Sequence, residues 1–199
     1  MSAIVGLTDA LRISLIAIAA LTFAGCATTR RAPNLWLAHA AAAGNVQAQY
    51  SLGWHELVGG RTPAVRADGV RLIREAANAG FAAADNLMGI AYLHGLGVTQ
   101  STPTALIWLQ AGANRGAPAP QILLASLYAD GTRVPQNPAL AYYWYGIAAK
   151  PVRSDVRISN IADLRAWARA RMLAIEPKLN AAQIRAEDRR IAAWTPIPS

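Results

Sequence analysis

Apolar positions recur at helical spacing along most of this chain, and the pattern itself returns every 36 residues. Within Ala82–His94 the residues Ala84, Met88, Ala91 and Tyr92 fall three and four apart, so they share one helix face. The stretch is rich in Ala, Leu and Met and holds no Pro, which favours a helix. Gly95-Leu96-Gly97 then supplies the left-handed cap that other residues resist. Ser101-Thr102-Pro103 marks a second start, because the Ser accepts from orphan amides and Pro fits a first turn. Ala105, Trp108, Leu109 and Gly112 form the next apolar stripe, and Gly116 closes the unit. No run of Val, Ile and Thr alternates over a length that would make a strand.

Shifted 36 residues downstream, Gly80, Tyr92, Gly95 and Val98 return as Gly116, Tyr128, Gly131 and Val134. Ala105, Trp108 and Ala113 return as Ala141, Trp144 and Ala149, and Asn137-Pro138 repeats the helix start. Shifted upstream, Gly44, Gly53, Gly59 and Ala77 fall under Gly80, Gly89, Gly95 and Ala113. A fixed period of this length predicts an all-α solenoid, since one helical hairpin cannot bury its apolar face alone. Three units follow, Gly44–Gly80 with a loop at Gly59–Ala67, Gly80–Gly116 and Gly116–Val152. Leu35–Ala43 reads as a lone second helix that caps the first end, because Trp36 lies 72 residues before Trp108. Gly89 and Gly112 should let paired helices approach closely. Trp108 and Trp144 should act as wedges between units, each taking roughly 150–250 Å² out of water. Residues 153–194 leave the pattern and predict a capping helix pair. The first helix is about Asp155–Ile175, with Ile161, Leu164, Trp167 and Ala168 on one face. The second is Ala181–Ala193, with Asn180 and Gln183 as a capping box. Residues 195–199 are a tail.

The stretch AYLHGLGVTQSTPTALIWLQAGANRG resembles the Sel-one-like repeat, a relative of the tetratricopeptide repeat. Ala84, Gly89, Tyr92, Gly95, Gly97, Val98, Ala105, Trp108, Ala113 and Gly116 match its pattern. Tyr128, Gly131, Val134, Ala141, Trp144, Ala148 and Ala149 match in the next unit. The first unit is degenerate: Glu56 takes the Tyr place and Leu72 the Trp place. The resemblance covers about Leu35 to Lys150. It implies a right-handed α-solenoid that holds proteins or peptides, and no catalytic residues. Some members carry a cysteine pair in each repeat and have been linked to β-lactam chemistry. This chain lacks those cysteines and any S-x-x-K motif, so that activity is not implied.

Residues 1–25 read as a signal segment. Arg12 precedes the apolar run Ile13–Phe23, which is too short to span a bilayer. Phe23-Ala24-Gly25-Cys26 resembles a bacterial lipobox, which implies cleavage before Cys26 and acylation of its sulfur and amine. Ala27 in place of Asp implies sorting to the outer membrane of a Gram-negative bacterium, facing the periplasm. Cys26 is the sole cysteine, so no internal disulfide can form. Residues 26–34 form a short tether, in which Arg30 and Arg31 are either solvated or placed against anionic headgroups.

Composition changes the picture in two ways. Hydrophobic residues make up 54% of the chain, but 44 residues are Ala, which points to closely packed helices. The net charge is +8, with a basic surplus after Lys150 that includes Arg165, Arg169, Arg171, Arg185 and Arg189. That surplus is either a solvated helix face or a contact for an acidic protein, an anionic glycan or lipid headgroups. Nucleic acid is not an expected partner. His39, His55 and His94 lack any metal-ligand spacing, so no metal and no cofactor is expected. No G-x-S-x-G and no phosphate loop occurs, and Gly95-Leu96-Gly97 follows a helix rather than a strand. The chain does not read as an enzyme.

Residues that hold the grid recur, while those that serve a partner need not. Tyr50/Asn86/Ile122, Trp54/Ile90/Ser126 and Val58/His94/Asp130 share offsets but differ in character, as they also would by drift on a free surface. In solenoids of the resembled kind the first helices line the concave face. Tyr50, Trp54, Asn86, Ile90, His94, Ser126 and Asp130 are therefore the candidate partner-binding residues. The expected function is a lipid-anchored periplasmic scaffold that docks a protein or peptide, in envelope assembly or export. A modulator of a cell-wall or secreted enzyme and a cell-wall-active hydrolase are the alternatives.

Overall fold

The computed structural model describes residues 32–151 and 161–197. The signal segment, Cys26, Arg30 and Arg31 lie outside the described residues, as do positions 155–160 of the first capping helix. Among the described residues there are helices and turns and no strand. We number the helices α1 (Ala32–Ala42), α2 (Val46–Gly59), α3 (Pro63–Asn78), α4 (Ala82–His94), α5 (Thr102–Asn114), α6 (Pro118–Asp130), α7 (Pro138–Ala149), α8 (Ile161–Ile175) and α9 (Ala181–Ala193). A short 3-10 turn, Glu176–Lys178, follows α8. The hairpins α2–α3, α4–α5 and α6–α7 are the closest pairs, and each hairpin packs on the next. The result is an all-α solenoid, as the period predicts.

Local chemistry sets the helix ends. Asn45, Thr62, Ser101 and Asn137 each accept a hydrogen bond from a backbone amide three residues on, at 2.9–3.3 Å. These caps satisfy donors that no intrahelical carbonyl can reach. Asn180 and Gln183 form the expected reciprocal capping box, both bonds being 2.9 Å. Gly95 and Gly131 end α4 and α6 in the left-handed conformation at φ 68° and 70°.

Two boundaries depart from expectation. The loop after α2 is shorter than Gly59–Ala67, because Thr62-Pro63 starts α3 early and Ala64–Ala67 are helical. Accordingly Gly59 stays inside α2, and the cap passes to Gly60 in extended backbone at φ −64°. α1 starts at Ala32, three residues before the expected Leu35, with Pro33 in the first turn, where a missing amide costs least.

The core is a series of clusters handed along the array. Ala41, Ala48 and Leu72 join α1 to the first hairpin. Leu57, Val70, Ile73, Leu87 and Met88 join the first hairpin to the second, with Trp108 against them. Leu109, Leu124, Tyr142, Trp144 and Tyr145 continue into α8 through Ala168 and Ile175. Glycines set the closest approaches. A Cβ on Gly69 would lie 2.7 Å from the Leu57 nitrogen and 2.8 Å from the Gly53 carbonyl.

Gly97 carries both demands on a glycine at once. Its φ is +68°, and a Cβ there would meet the Arg66 carbonyl oxygen of the preceding hairpin at 2.7 Å. At Gly95, with the same φ, the nearest atom would be at 3.5 Å. Gly97→Ala is therefore expected to cost about 3 kcal/mol, backbone strain plus overpacking, and Gly95→Ala only about 1 kcal/mol. Urea unfolding of the two variants side by side checks the difference.

Candidate functional site

The candidate row runs across the first helices α2, α4 and α6, and α4 touches α6 directly. Its three units are not equally open. On α2, Trp54 is 42% exposed and Val58 60%. Tyr50 beside them is half-buried, its ring edge-on to Phe81 at 5.0 Å. Burial pushes the Tyr50 hydroxyl above its ordinary pKa. Tyr50, Ser51, Trp54 and His55 line a shallow cavity of about 270 Å³. On α4, Ile90 leans into the cluster below it and His94 is exposed. Asn86 is half-buried, and its Oδ1 is covered without a hydrogen-bond partner. On α6, Ser126 Oγ is 3.0 Å from the Tyr145 hydroxyl, so this side chain is engaged within the array. Ile122 packs into the core cluster in the same way. Asp130 is exposed and shares a cleft of about 200 Å³ with Tyr145, Arg171 and Lys178, where α8 closes over the row.

The structure thus grades the row by exposure. The first unit presents an open aromatic and apolar face, the second a carboxamide and an imidazole. The third is partly roofed by α8. The periodic pattern identifies the row, but the neighbours that decide exposure come from other elements.

A second feature has a weaker signal in the sequence. The position 36 residues either side of Asp85 holds Gln49 and Gln121, and all three are buried. Each is used to tie helices. Gln49 Nε2 donates to Glu75 Oε2 at 3.0 Å, Arg115 donates to Asp85 Oδ2, and Gln121 Nε2 donates to the Ala113 carbonyl at 2.9 Å. Buried polar groups in a packed array need such partners. The recurrence of a polar residue at the repeat period is the signal that finds them.

A cavity of about 490 Å³ opens between α1, α2 and α3 over Ala38, Ala41, Leu52 and Leu72. Gln49, Glu56, Asp68, Arg71 and Glu75 supply its polar wall. Arg71 donates to Glu75 at 2.7 Å and stands 3.9 Å from Asp68. Burial, then the Asp68 charge, raises the Glu56 carboxyl above its ordinary pKa, and Arg71 opposes them. Glu56 stands where Tyr92 and Tyr128 bring a ring, and the cavity opens beside this shorter carboxylate.

The basic C-terminal region is partly spent on docking. Tyr142 donates to Asp188 at 3.0 Å, and burial followed by that bond pushes the hydroxyl pKa up to about 12. Arg190 pairs with Glu187 at 2.6 Å and lies over the Tyr143 ring at 4.2 Å. Lys150 Nζ donates to the Ile191, Ala192 and Trp194 carbonyls, a cation at the end of α9 where the helix dipole favours one. Among the described residues no group of three or more His, Cys, Asp or Glu could hold a metal ion. None of the described helices is long and apolar enough to cross a membrane.

Comparison with known proteins agrees with this geometry. The Sel1 repeat pattern matches residues 46–81, 82–116 and 121–150. These spans cover the three hairpins. The chain is similar to the crystal structure of a protective antigen present in uropathogenic Escherichia coli strains, which displays an SLR fold. The TM-score is 0.63 at 25% identity, over 77% of this chain and 30% of that one. It is also similar to a Sel1 repeat protein from Oxalobacter formigenes, with a TM-score of 0.52 at 34% identity, over 57% of this chain and 87% of that one. No curated protein sequence matches this chain. Repeats of this kind generally mediate protein–protein interaction. Hairpin register, glycine turns and pattern match lead to one assignment: the chain belongs to the Sel1 repeat family.

Proposed function

We propose that this protein is a lipid-anchored periplasmic scaffold, without catalysis of its own, that docks a protein or peptide on the first-helix face. The single observation that carries the reading is the open surface at Trp54 and Val58 beside Tyr50, in a repeat class that mediates protein–protein interaction. A partly exposed tryptophan beside further apolar surface is the kind of anchor that dominates interfaces. The membrane location rests on Phe23-Ala24-Gly25-Cys26 and the Ala that follows.

The test is capture from envelope extract by the full chain, followed by affinity measurement with the partner recovered. Trp54→Ala is expected to weaken binding about tenfold or more. Substitution of exposed Ile107, on a second helix, should leave it unchanged. Equal affinity of the Trp54 variant and wild type would remove the face from consideration. For the anchor, Cys26→Ser is expected to move the protein from the membrane to the soluble fraction. Peptidoglycan hydrolysis by the purified chain would overturn the non-catalytic reading.

A further inference from the structure

The two ends of the array are unfinished in complementary ways. Inside the array a first helix is covered on two sides. α4 packs on its own second helix, α5, and on α3 of the hairpin before, and so buries Ala84, Leu87, Met88 and Ala91. α8 stands next in this series, since it follows and packs on α7 as α4 follows and packs on α3. Yet it buries a single stripe, centred on Ala168 and Ile175. The opposite side, with Ala162, Ala166, Ala170 and Leu173, is exposed, Leu173 at 50%. The helix expected to cover it, α9, lies on α7 instead. Its Ile191 fills the space left by Gly146, and the tail behind it donates from the Ile197 amide to the Asn114 carbonyl at 2.8 Å.

The other end shows the reverse. α1 keeps the register of a second helix, with Trp36 on the column of Leu72, Trp108 and Trp144. No first helix precedes it among the described residues. Within the array this column is covered at Leu72 and Trp144, each 6% exposed, and half-buried at Trp108, because each second helix leans on its own first helix and on the first helix that follows. Trp36 is 73% exposed, and Leu35 beside it is open as well.

A first helix without its second and a second helix without its first are the two halves of one repeat. We propose that copies of this chain join head to tail, with α1 of one copy docking on the open side of α8 of the next. Trp36 and Leu35 then lie against the Ala166–Leu173 surface, as Trp144 lies within its own hairpin. The occupant is a second copy because the contact repeats the pairing of a first helix with its second that the array already makes in each hairpin. It does not involve the Trp54 face. The two patches differ, so the contact is heterologous and association can run past the dimer.

Sedimentation velocity of the full chain in a density-matched detergent, up to about 0.1 mM, tests this. The wild-type chain is expected to pass from monomer to dimer to longer species as concentration rises. Trp36→Glu and Leu173→Glu are each expected to remain monomeric with unchanged helical circular dichroism, since both side chains are exposed. Mixed in equal amounts, the two variants are expected to form a dimer that grows no further, because each keeps the end that the other has lost. A wild-type chain that stays monomeric throughout overturns the proposal. So does a mixture that fails to pair, or a single variant that associates as wild type does.

Discussion

Replacing Arg115 with alanine is expected to destabilise the fold by about 3 kcal/mol at neutral pH, although the arginine itself is partly exposed. The reason lies with its partner. Asp85 sits in the first turn of α4 with no exposed surface, and Arg115 donates to its Oδ2 from just beyond α5. Its Oδ1 is buried without a partner. Removing the guanidinium leaves a carboxylate charge in the core with little beyond the helix N-terminus to answer it. The pH dependence follows from the pKa. Burial raises the Asp85 carboxyl above its ordinary value, while the Arg115 hydrogen bond and charge pull it part of the way back. A folded-state pKa above the unfolded one means the native state holds the proton more tightly. The associated stability is present below the unfolded pKa and is lost as pH rises through the folded pKa. Without Arg115 the folded value climbs further and this window widens. The variant should therefore lose most at neutral pH and recover as pH falls into the carboxylate range. Adding Asp85→Asn to the variant should restore part of the loss at neutral pH. Urea midpoints at neutral and mildly acidic pH measure both effects. A loss that does not change with pH would show that packing of the arginine stem, and not the buried charge, is what matters.

Asp85 also shows where sequence reading succeeds and where it stops. Turns and caps are decided by one or two residues, so Gly95, Gly131, Ser101, Asn137 and the Asn180–Gln183 box were legible. Hairpin order was legible because the repeat period fixes it. The loop after α2 is shorter than the grid implies because Thr62-Pro63 starts α3 before the position that the 36-residue period would choose. The candidate row was legible as a row, not as a surface. Whether Ser126 is open depends on Tyr145, and whether Asp130 is open depends on α8, and neither follows from helix periodicity. The course of α9 was hidden for a similar reason. Its amphipathic pattern does not say which neighbour it packs on, and Gly146 of α7 decides that by leaving room for Ile191.

The column of Trp36, Trp108 and Trp144 turns the repeat into a second measurement, because one substitution on one register is expected to give three different results. Trp144 is buried among Tyr143, Tyr145 and Ile147, with the Tyr143 ring edge-on at 5.0 Å. Truncation to alanine should cost about 3–5 kcal/mol. At about 2–4 °C per kcal/mol for a chain of this size, the melting temperature should fall by about 10 °C. Trp108 is half-buried against the cluster of the first two hairpins, so Trp108→Ala should cost roughly half as much. Trp36→Ala should change stability by no more than about 0.5 kcal/mol, since it uncovers little that was covered. The comparison belongs at low protein concentration, where chain ends do not meet and each value reports the isolated fold. A Trp36 variant that melts as early as the Trp144 variant under those conditions would mean that the first end of the array is already closed within one chain. If the order is as expected, the same residue type on the same register holds the solenoid together at its centre and stands free at its end.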